Sequence, residues 1–138
     1  MLYLSLGPII QKMLQIPGLF IMNTDQRGRG VFTSKAIKEG DMIEICPLII
    51  IPPKEVKVIH QTVLHDYYFL WTKPANSACI ALGFGSLYNH SSLNNAEVFM
   101  DIESKEIEIR ACKEIIAGEE IFIDYNDGNK EQVWFDVQ

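Results

Sequence analysis

The apolar residues of this chain fall into short runs that glycine, proline or polar turns interrupt, and this pattern limits the folds open to it. Each run has the length and the β-branched or aromatic content of a strand. Six segments are predicted to be strands: residues 19–22, 31–33, 43–51, 97–102, 106–111 and 121–125. Two of them alternate apolar and polar residues across a short polar turn, which predicts a hairpin.

Helical periodicity is clear in one segment. Between Lys54 and Tyr68 the apolar residues recur at spacings of three and four positions, which predicts one helix after Pro52. His60 and His65 lie five positions apart on it, a spacing that does not place them on one face. We therefore expect them at the surface or at a helix end, and not as metal ligands. Short strands with one helix indicate a mostly β domain of α+β character.

Length and composition are those of one folded domain. The chain has 138 residues, of which 48% are hydrophobic and 22% charged, as in soluble globular proteins rather than disordered ones. Its net charge of −6 argues against a nucleic-acid backbone as the main partner. An acidic surface instead favours a lysine-rich peptide.

Cysteine usage and the N-terminal residues bear on the compartment. Cys46, Cys79 and Cys112 show no Cys-x-x-Cys spacing, so neither a disulfide framework nor a zinc site is predicted, and buried thiols in a reducing compartment are expected.

The apolar residues 1–20 lack a preceding basic residue and are interrupted by Pro8 and polar residues. They predict neither a signal peptide nor a membrane span. We expect a cytoplasmic protein, or a nuclear one in a eukaryote, that is not secreted.

Residues 83–95 combine features that a plain core segment does not need together. Gly83 and Gly85 let the backbone bend or be approached closely, and a run of asparagine, histidine and serine begins at Asn89. Such a loop suits a polar ligand. A surface turn has a similar composition and is the alternative.

The chain contains two further sequence patterns with glycine. Gly28-Arg29-Gly30 is, by itself, most typical of a hairpin turn, and it lacks the third glycine of a dinucleotide-binding motif. Residues 35–43 and 113–121 share the pattern Lys-x-Ile-x-x-Gly-acid-x-Ile, which predicts a strand end, a glycine turn and a new strand in each. The acidic residues of these turns are predicted to be solvated.

In combination, these segments resemble the SET-domain family of protein-lysine methyltransferases. Gly28-Arg29-Gly30, the Asn-His-Ser-x-x-x-Asn segment from Asn89 to Asn95, and the Gly-Glu-Glu segment ending at Tyr125 occur in the family's order. The chain looks most like compact viral and bacterial members that lack zinc clusters. The resemblance implies a β-clip-like fold of small curved sheets with a C-terminal pseudoknot. It also implies an apolar arm at 1–17, a SET core at 18–125 and a lid segment at 126–138.

The resemblance also assigns roles to residues. Tyr125 corresponds to the catalytic tyrosine, whose hydroxyl orients the transferring methyl group. The residues expected to bind S-adenosylmethionine are Arg29, Gly30, Tyr67, Asn89, His90 and Trp134. The residues expected to line the channel for the substrate lysine are Tyr68, Tyr88 and Ile123. No metal is expected, because Ser92 replaces the cysteine of the zinc-bearing relatives and no cysteines follow Tyr125.

The expected partner is a lysine-containing protein, of which a histone or another basic protein is an example. Direct nucleic-acid binding and membrane association are not expected, and a homodimer is one expected assembly. Two other functions stay open on the sequence alone. The first is a SET-like module that binds a peptide or assists assembly without turnover, and the second is an unrelated all-β carrier.

Overall fold

A computed structural model describes residues 14–124. In this part of the chain there is one α-helix, α1 (Pro53–His60), and short 3-10 turns cover Val63–Asp66 and Gly85–Leu87. The strands of this part are β1 (Leu19–Thr24), β2 (Gly28–Thr33), β3 (Met42–Ile51), β4 (Tyr68–Trp71), β5 (Ser77–Ala81), β6 (Asn89–His90), β7 (Ala96–Asp101), β8 (Glu106–Ala111) and β9 (Phe122–Ile123). The predicted fold class, mostly β with one main helix, is confirmed.

The strands form two sheets. β1 and β2 make an antiparallel hairpin, and the other strands form a curled sheet in the order β4-β5-β3-β8-β7-β9-β6. Within the larger sheet, β9 runs parallel to both of its neighbours, while the pairs among β3, β4, β5, β7 and β8 are antiparallel. The last described strand thus inserts between two strands that precede it in the chain, which brings Phe122 and Ile123 beside Asn89 and His90.

The core lies against one face of the larger sheet. Along β8 the residues Ile107, Ile109 and Ala111 are buried, and the residues between them point to the opposite face, as the predicted alternation requires. In β3 a register shift between Met42 and Glu44 interrupts this alternation. A bulge of this kind re-aims side chains, and it accounts for a buried glutamate beside the buried Ile43.

The two segments with the shared Lys-x-Ile-x-x-Gly pattern pair with each other. Ile37 and Ile115 exchange backbone hydrogen bonds of 2.8 and 2.9 Å, and both side chains are buried. Gly40 and Gly118 occupy equivalent turns with φ of 91° and 93°, a backbone conformation that favours glycine. The sequence predicted two similar turns but not their contact, because periodicity carries no information on which segments meet.

The helix is shorter than its sequence pattern predicted. α1 ends at His60, since the Thr62 hydroxyl donates to the Ile59 carbonyl and also accepts from the Leu64 amide, which starts a 3-10 turn. Tyr68 belongs to β4 and not to the helix. This break brings His60 and His65 together, with ring centroids 5.9 Å apart, although an unbroken helix would separate them. The described part of the chain contains no helix with the length and hydropathy of a membrane span.

Buried thiols make the stability of the fold sensitive to alkali. Burial raises the pKa of Cys79 to about 12, and burial followed by the nearby Glu44 raises the pKa of Cys46 still further. In the unfolded chain both thiols ionise near their ordinary pKa of 9.0. The stability that the neutral thiols contribute is therefore complete below pH 9 and is lost as the pH rises toward the folded-state values.

We expect the free energy of unfolding to fall above pH 9 by up to about 1.4 kcal/mol per pH unit for each buried thiol. Urea denaturation between pH 7 and pH 11 measures this slope. The Cys79→Ala variant is the control. Its free energy of unfolding should show about half of the pH dependence that the two thiols cause. Equal slopes for the parent and the variant would contradict the assignment.

Candidate functional site

The loop at 83–95 is anchored by hydrogen bonds to one buried carboxylate, that of Glu44. Glu44 is 2% exposed, and its Oε2 accepts hydrogen bonds from the Phe84 amide at 3.0 Å and from Gln15 Nε2 at 3.1 Å. Its Oε1 accepts a hydrogen bond of 2.6 Å from the Tyr88 hydroxyl. Gly83 has φ of 67° and its Cα faces the Glu44 carboxylate, so a larger residue has no room there.

This network fixes the protonation of Tyr88. Burial, followed by the proximity of Glu44, raises the pKa of Tyr88 well above its ordinary value of 10.0, so the hydroxyl stays a donor at neutral pH. Within residues 14–124 no cation forms an ion pair with Glu44. The carboxylate is therefore satisfied by hydrogen-bond donors of the loop and of the segment before β1, which attaches both to β3.

Asn89 connects Arg29 of β2 with Glu120, which precedes β9. Its Nδ2 donates to the Arg29 carbonyl at 3.1 Å and to Glu120 Oε2 at 2.7 Å. A Cβ on Gly30 would lie 2.8 Å from Asn89 Nδ2 and would meet the Glu120 carboxylate. In the structure it is therefore these two side chains that require a glycine at position 30.

The prediction that the acidic residues of the two glycine turns are solvated is wrong for Glu120. Asp41 and Glu119 are exposed as predicted, whereas Glu120 is half-buried and accepts the hydrogen bond from Asn89. The difference has a physical reason: Glu120 is the residue at which the chain leaves the turn and passes beneath the loop. A carboxylate at that point meets the amide of the asparagine.

Asn95 holds β9 in place. Its Nδ2 donates to the Glu120 carbonyl at 3.0 Å, its Oδ1 accepts from the Phe122 amide at 2.8 Å, and its own amide donates to the Phe122 carbonyl at 3.1 Å. Immediately after β9, Asp124 Oδ1 lies 3.5 Å from His90 Nε2. Asn95 and His90 thus bracket the strand that leads directly into Tyr125.

Four of the predicted site residues surround one hollow. The hollow has a volume of about 220 Å³ and is bounded by Arg29, Tyr67, Tyr88 and Asn89, with Arg27 and Asp66 at its rim. The residues lining it include two arginines, an aspartate, two tyrosines and an asparagine. That combination suits a ligand with charges of both signs and a planar ring. The Arg27 guanidinium also lies 5.2 Å from the centroid of Phe122 and so connects the rim to β9.

The other predicted residues lie apart from this hollow or outside the described part of the chain. Tyr68 packs on Val56 in a second apolar cluster, with its hydroxyl 2.8 Å from His60 Nδ1, so it faces away from its neighbour Tyr67. Ile123 is fully buried in the main core. Tyr125 and Trp134 lie outside the described residues. A lysine channel lined by Tyr68, Tyr88 and Ile123 stays a prediction.

Sequence reasoning gave no role to Glu44, Glu120 or Asn95 at the site. The one available signal for Glu44 is its position as the single acidic residue within the apolar stretch 42–51. Glu120 and Asn95 are members of the recognised motifs, yet their partners lie 31 and 25 to 27 positions away in the chain. Among residues 14–124 no group of three or more histidine, cysteine, aspartate or glutamate side chains is arranged to hold a metal ion.

Comparison with known proteins gives one family. The SET-domain family matches residues 28–126 of this chain. A relative from Schizosaccharomyces pombe, named histone-lysine N-methyltransferase, H3 lysine-37 specific, is 32% identical over 130 residues. That match covers 94% of this chain and 81% of the relative.

Solved structures give the same result. A candidate histone methyltransferase of Plasmodium falciparum superposes with a TM-score of 0.64 at 32% identity, over 86% of this chain and 97% of that one. The Neurospora SET-domain protein DIM-5, a histone lysine methyltransferase, superposes with a TM-score of 0.67 at 22% identity. The second match covers 83% of this chain and 54% of that protein, and it supports the fold alone.

Proposed function

The chain belongs to the SET-domain family of protein-lysine methyltransferases, and we propose that it transfers a methyl group from S-adenosylmethionine to the ε-amine of a lysine in a protein substrate. The amine nitrogen forms a bond to the methyl carbon, the bond between that carbon and sulfur breaks, and the amine gives up a proton. S-adenosylmethionine supplies the methyl group on a positively charged sulfur. The other product is S-adenosylhomocysteine.

The observation that carries this proposal is the meeting of Arg29, Tyr67 and Asn89 at one hollow. Arg29 and Asn89 are 60 positions apart in the chain, yet a hydrogen bond joins them. An amino-acid carboxylate suits the guanidinium groups, and the adenine ring suits the phenol ring of Tyr67. Both amide hydrogens of Asn89 are directed at Arg29 and Glu120, so what the side chain can offer a ligand ammonium is its carbonyl oxygen.

The volume of the hollow supports a site in which these residues hold part of the ligand. Complete ligand pockets measure roughly 300–1,000 Å³, whereas this hollow measures about 220 Å³. We propose that Trp134, which the sequence places shortly after Tyr125, covers the adenine. An indole over a planar base contributes about 1–3 kcal/mol in comparable stacks.

The substrate lysine must react as a neutral amine. Its ordinary pKa of about 10.4 leaves it protonated at neutral pH, and burial in an apolar channel favours the neutral form. We propose that the Tyr125 hydroxyl orients the methyl group through weak C–H···O contacts. The relatives from Schizosaccharomyces pombe and Plasmodium falciparum are both named as histone methyltransferases, so a histone is the first substrate to test. The proposed compartment, nuclear or cytoplasmic, is one in which the three free thiols stay reduced.

The proposal is tested by incubating the protein with radiolabelled S-adenosylmethionine and a panel of lysine-rich proteins that includes histones and ribosomal proteins. Label should appear on lysine of at least one of them. Binding of S-adenosylmethionine without transfer to any panel member would instead favour a SET-like module that has lost turnover. Failure to bind S-adenosylmethionine at all would reject the proposal.

Replacing Asn89 by alanine should weaken the binding of S-adenosylmethionine by about 10- to 100-fold. The variant removes the Asn89 amide from the hollow, so the Arg29 carbonyl and the Glu120 carboxylate lose the hydrogen bonds that this amide donates. We expect the free energy of binding to become less favourable by about 1–3 kcal/mol. Isothermal titration calorimetry measures the dissociation constant.

Asn94→Ala is the matched control, because this asparagine lies in the same loop but donates to Ala96 away from the hollow. Its dissociation constant should stay within about twofold of the parent. Prior treatment with a chelator should change neither value, since no metal is part of the proposal. A parental affinity in Asn89→Ala, or binding that requires added zinc, would contradict the assignment.

A further inference from the structure

The β7-β8 hairpin and the adjacent part of β3 present a face that the proposed reaction does not use. Register places Ile45, Glu108 and Phe99 side by side across the three strands, and Asp101 lies opposite Glu106 in the next outward row. We call this the hairpin face. It is the side of the sheet opposite the buried Ile107 and Ile109 row of β8.

The hairpin face contains a hollow. A concavity of about 420 Å³ is lined by Ile45 and Phe99 together with acidic residues. Phe99 is 36% exposed. The Arg110 guanidinium lies 4.6 Å from the centroid of the Phe99 ring. Aromatic residues, methionine and arginine are the types that are enriched where proteins meet.

The rim of the hollow is acidic. Asp101, Glu106 and Glu108 line it, and Glu97 lies opposite Arg110 in the outward row at the other end of the hairpin. The guanidinium of Arg110 is bonded to Glu108 through Nε at 3.1 Å and Nη2 at 3.0 Å, so the positive charge of Arg110 is paired with a carboxylate. The face therefore attracts cations to an apolar centre.

The hairpin face lies beside β9, the strand that precedes the candidate catalytic tyrosine in the sequence. β7 lies next to β9 in the sheet, with Ala96 opposite Ile123. Phe99 is three residues further along β7, a distance of about 10 Å at the rise of a strand. An extended peptide of a few residues spans the distance from the Ala96–Ile123 pair to Phe99.

We propose that the hairpin face binds a lysine- and arginine-bearing segment of the protein substrate, distinct from the lysine that is methylated. This inference rests on the proposed function for the identity of the partner. The cationic side chains meet the acidic rim, and their aliphatic stems pack on Ile45 and Phe99. Such a contact strengthens substrate binding without touching the reacting atoms, and it gives an acidic enzyme a preference for basic proteins.

The test uses the full chain, without S-adenosylmethionine, and a fluorescein-labelled peptide rich in lysine and arginine. A peptide of the same length with glutamine at those positions is the probe control. The double variant Asp101→Asn/Glu106→Gln keeps the side-chain shapes and removes two charges. The matched control, Glu39→Gln/Glu114→Gln, removes two charges from exposed turns elsewhere. Phe99→Ala removes the apolar centre. Fluorescence anisotropy gives the dissociation constants.

We expect the first double variant and Phe99→Ala each to weaken binding of the basic peptide by about three- to tenfold, and the control double variant to bind as the parent does. With a methyl-accepting protein, the same variants should raise KM by a similar factor and leave kcat unchanged. Equal binding and equal KM in all variants would overturn the inference.

Two other outcomes are informative. If no panel protein accepts a methyl group but the anisotropy still depends on the hairpin face, the proposed reaction fails and the basic-segment site stands. If Phe99→Ala leaves peptide binding unchanged but converts a dimer to a monomer in light scattering, the face is an interface between two copies. That result would overturn the inference.

Discussion

Replacing Tyr125 by phenylalanine is expected to lower kcat for methyl transfer by roughly 100- to 1,000-fold, the loss typical when one transition-state contact is removed from a preorganised site. The substitution removes one hydroxyl at the position that the family assigns to the catalytic tyrosine. The aromatic ring is kept. We therefore expect the affinity for S-adenosylmethionine and the melting temperature to stay close to those of the parent. Single-turnover transfer of radiolabel measures the chemical step directly.

Tyr3→Phe provides the matched control, because it makes the same chemical change outside the 28–126 segment that matches the family. It should transfer methyl groups at the parental rate. If Tyr125→Phe also did so, the catalytic assignment of this tyrosine would be wrong. If Tyr125→Phe lost cofactor binding together with turnover, the hydroxyl would serve in binding rather than in the chemical step.

Glu44→Ala is expected to lower the free energy of unfolding by about 3–4 kcal/mol, which corresponds to a fall in melting temperature of roughly 10–15 °C for a chain of this size. The variant leaves the buried Tyr88 hydroxyl and the Phe84 amide without their acceptor, and it opens a cavity beneath the loop. Urea denaturation and thermal scanning measure the loss. Because Tyr88 lines the hollow, the affinity for S-adenosylmethionine should fall as well, measured below the melting transition.

Glu108→Ala is the control for this experiment. Glu108 is also a strand glutamate, but its partner is the half-exposed Arg110 on the outward face, and exposed ion pairs contribute about 1 kcal/mol or less. Its stability should therefore stay near that of the parent. Similar stabilities for Glu44→Ala and Glu108→Ala would show that the buried network does not hold the loop.

Local pattern predicted those parts of the fold that depend on neighbouring residues. The alternation in 97–102 and 106–111 predicted the β7-β8 hairpin, because that pairing is between adjacent segments. The glycine pattern at 28–30 predicted the β1-β2 hairpin, but its residues begin β2 and do not form the turn itself. The helix was predicted too long. Its apolar spacing continues past Thr62, and spacing alone does not show that a hydroxyl breaks the helix there.

The interactions that build the candidate site are long-range, and pattern could not predict them. Glu44 meets Tyr88 across 44 positions, and Asn89 meets Glu120 across 31. A sequence shows which side chains are polar but not which of them share a space. The resemblance to a family grouped Asn89 with Arg29, which a hydrogen bond joins in the structure, since a family carries the geometry that spacing lacks.

The insertion of β9 between β6 and β7 also sets the order in which this protein can assemble. Hairpins such as β7-β8 close over few residues and can form as soon as they leave the ribosome, whereas β9 needs both of its neighbours in place before it can pair. Glu120 and Phe122, the partners of Asn89 and Asn95, belong to that late segment. The hollow is therefore completed only after most of the core exists. A nascent or truncated chain that ends before residue 120 lacks the contacts that shape it, so we expect the hollow to form late in the biogenesis of this protein.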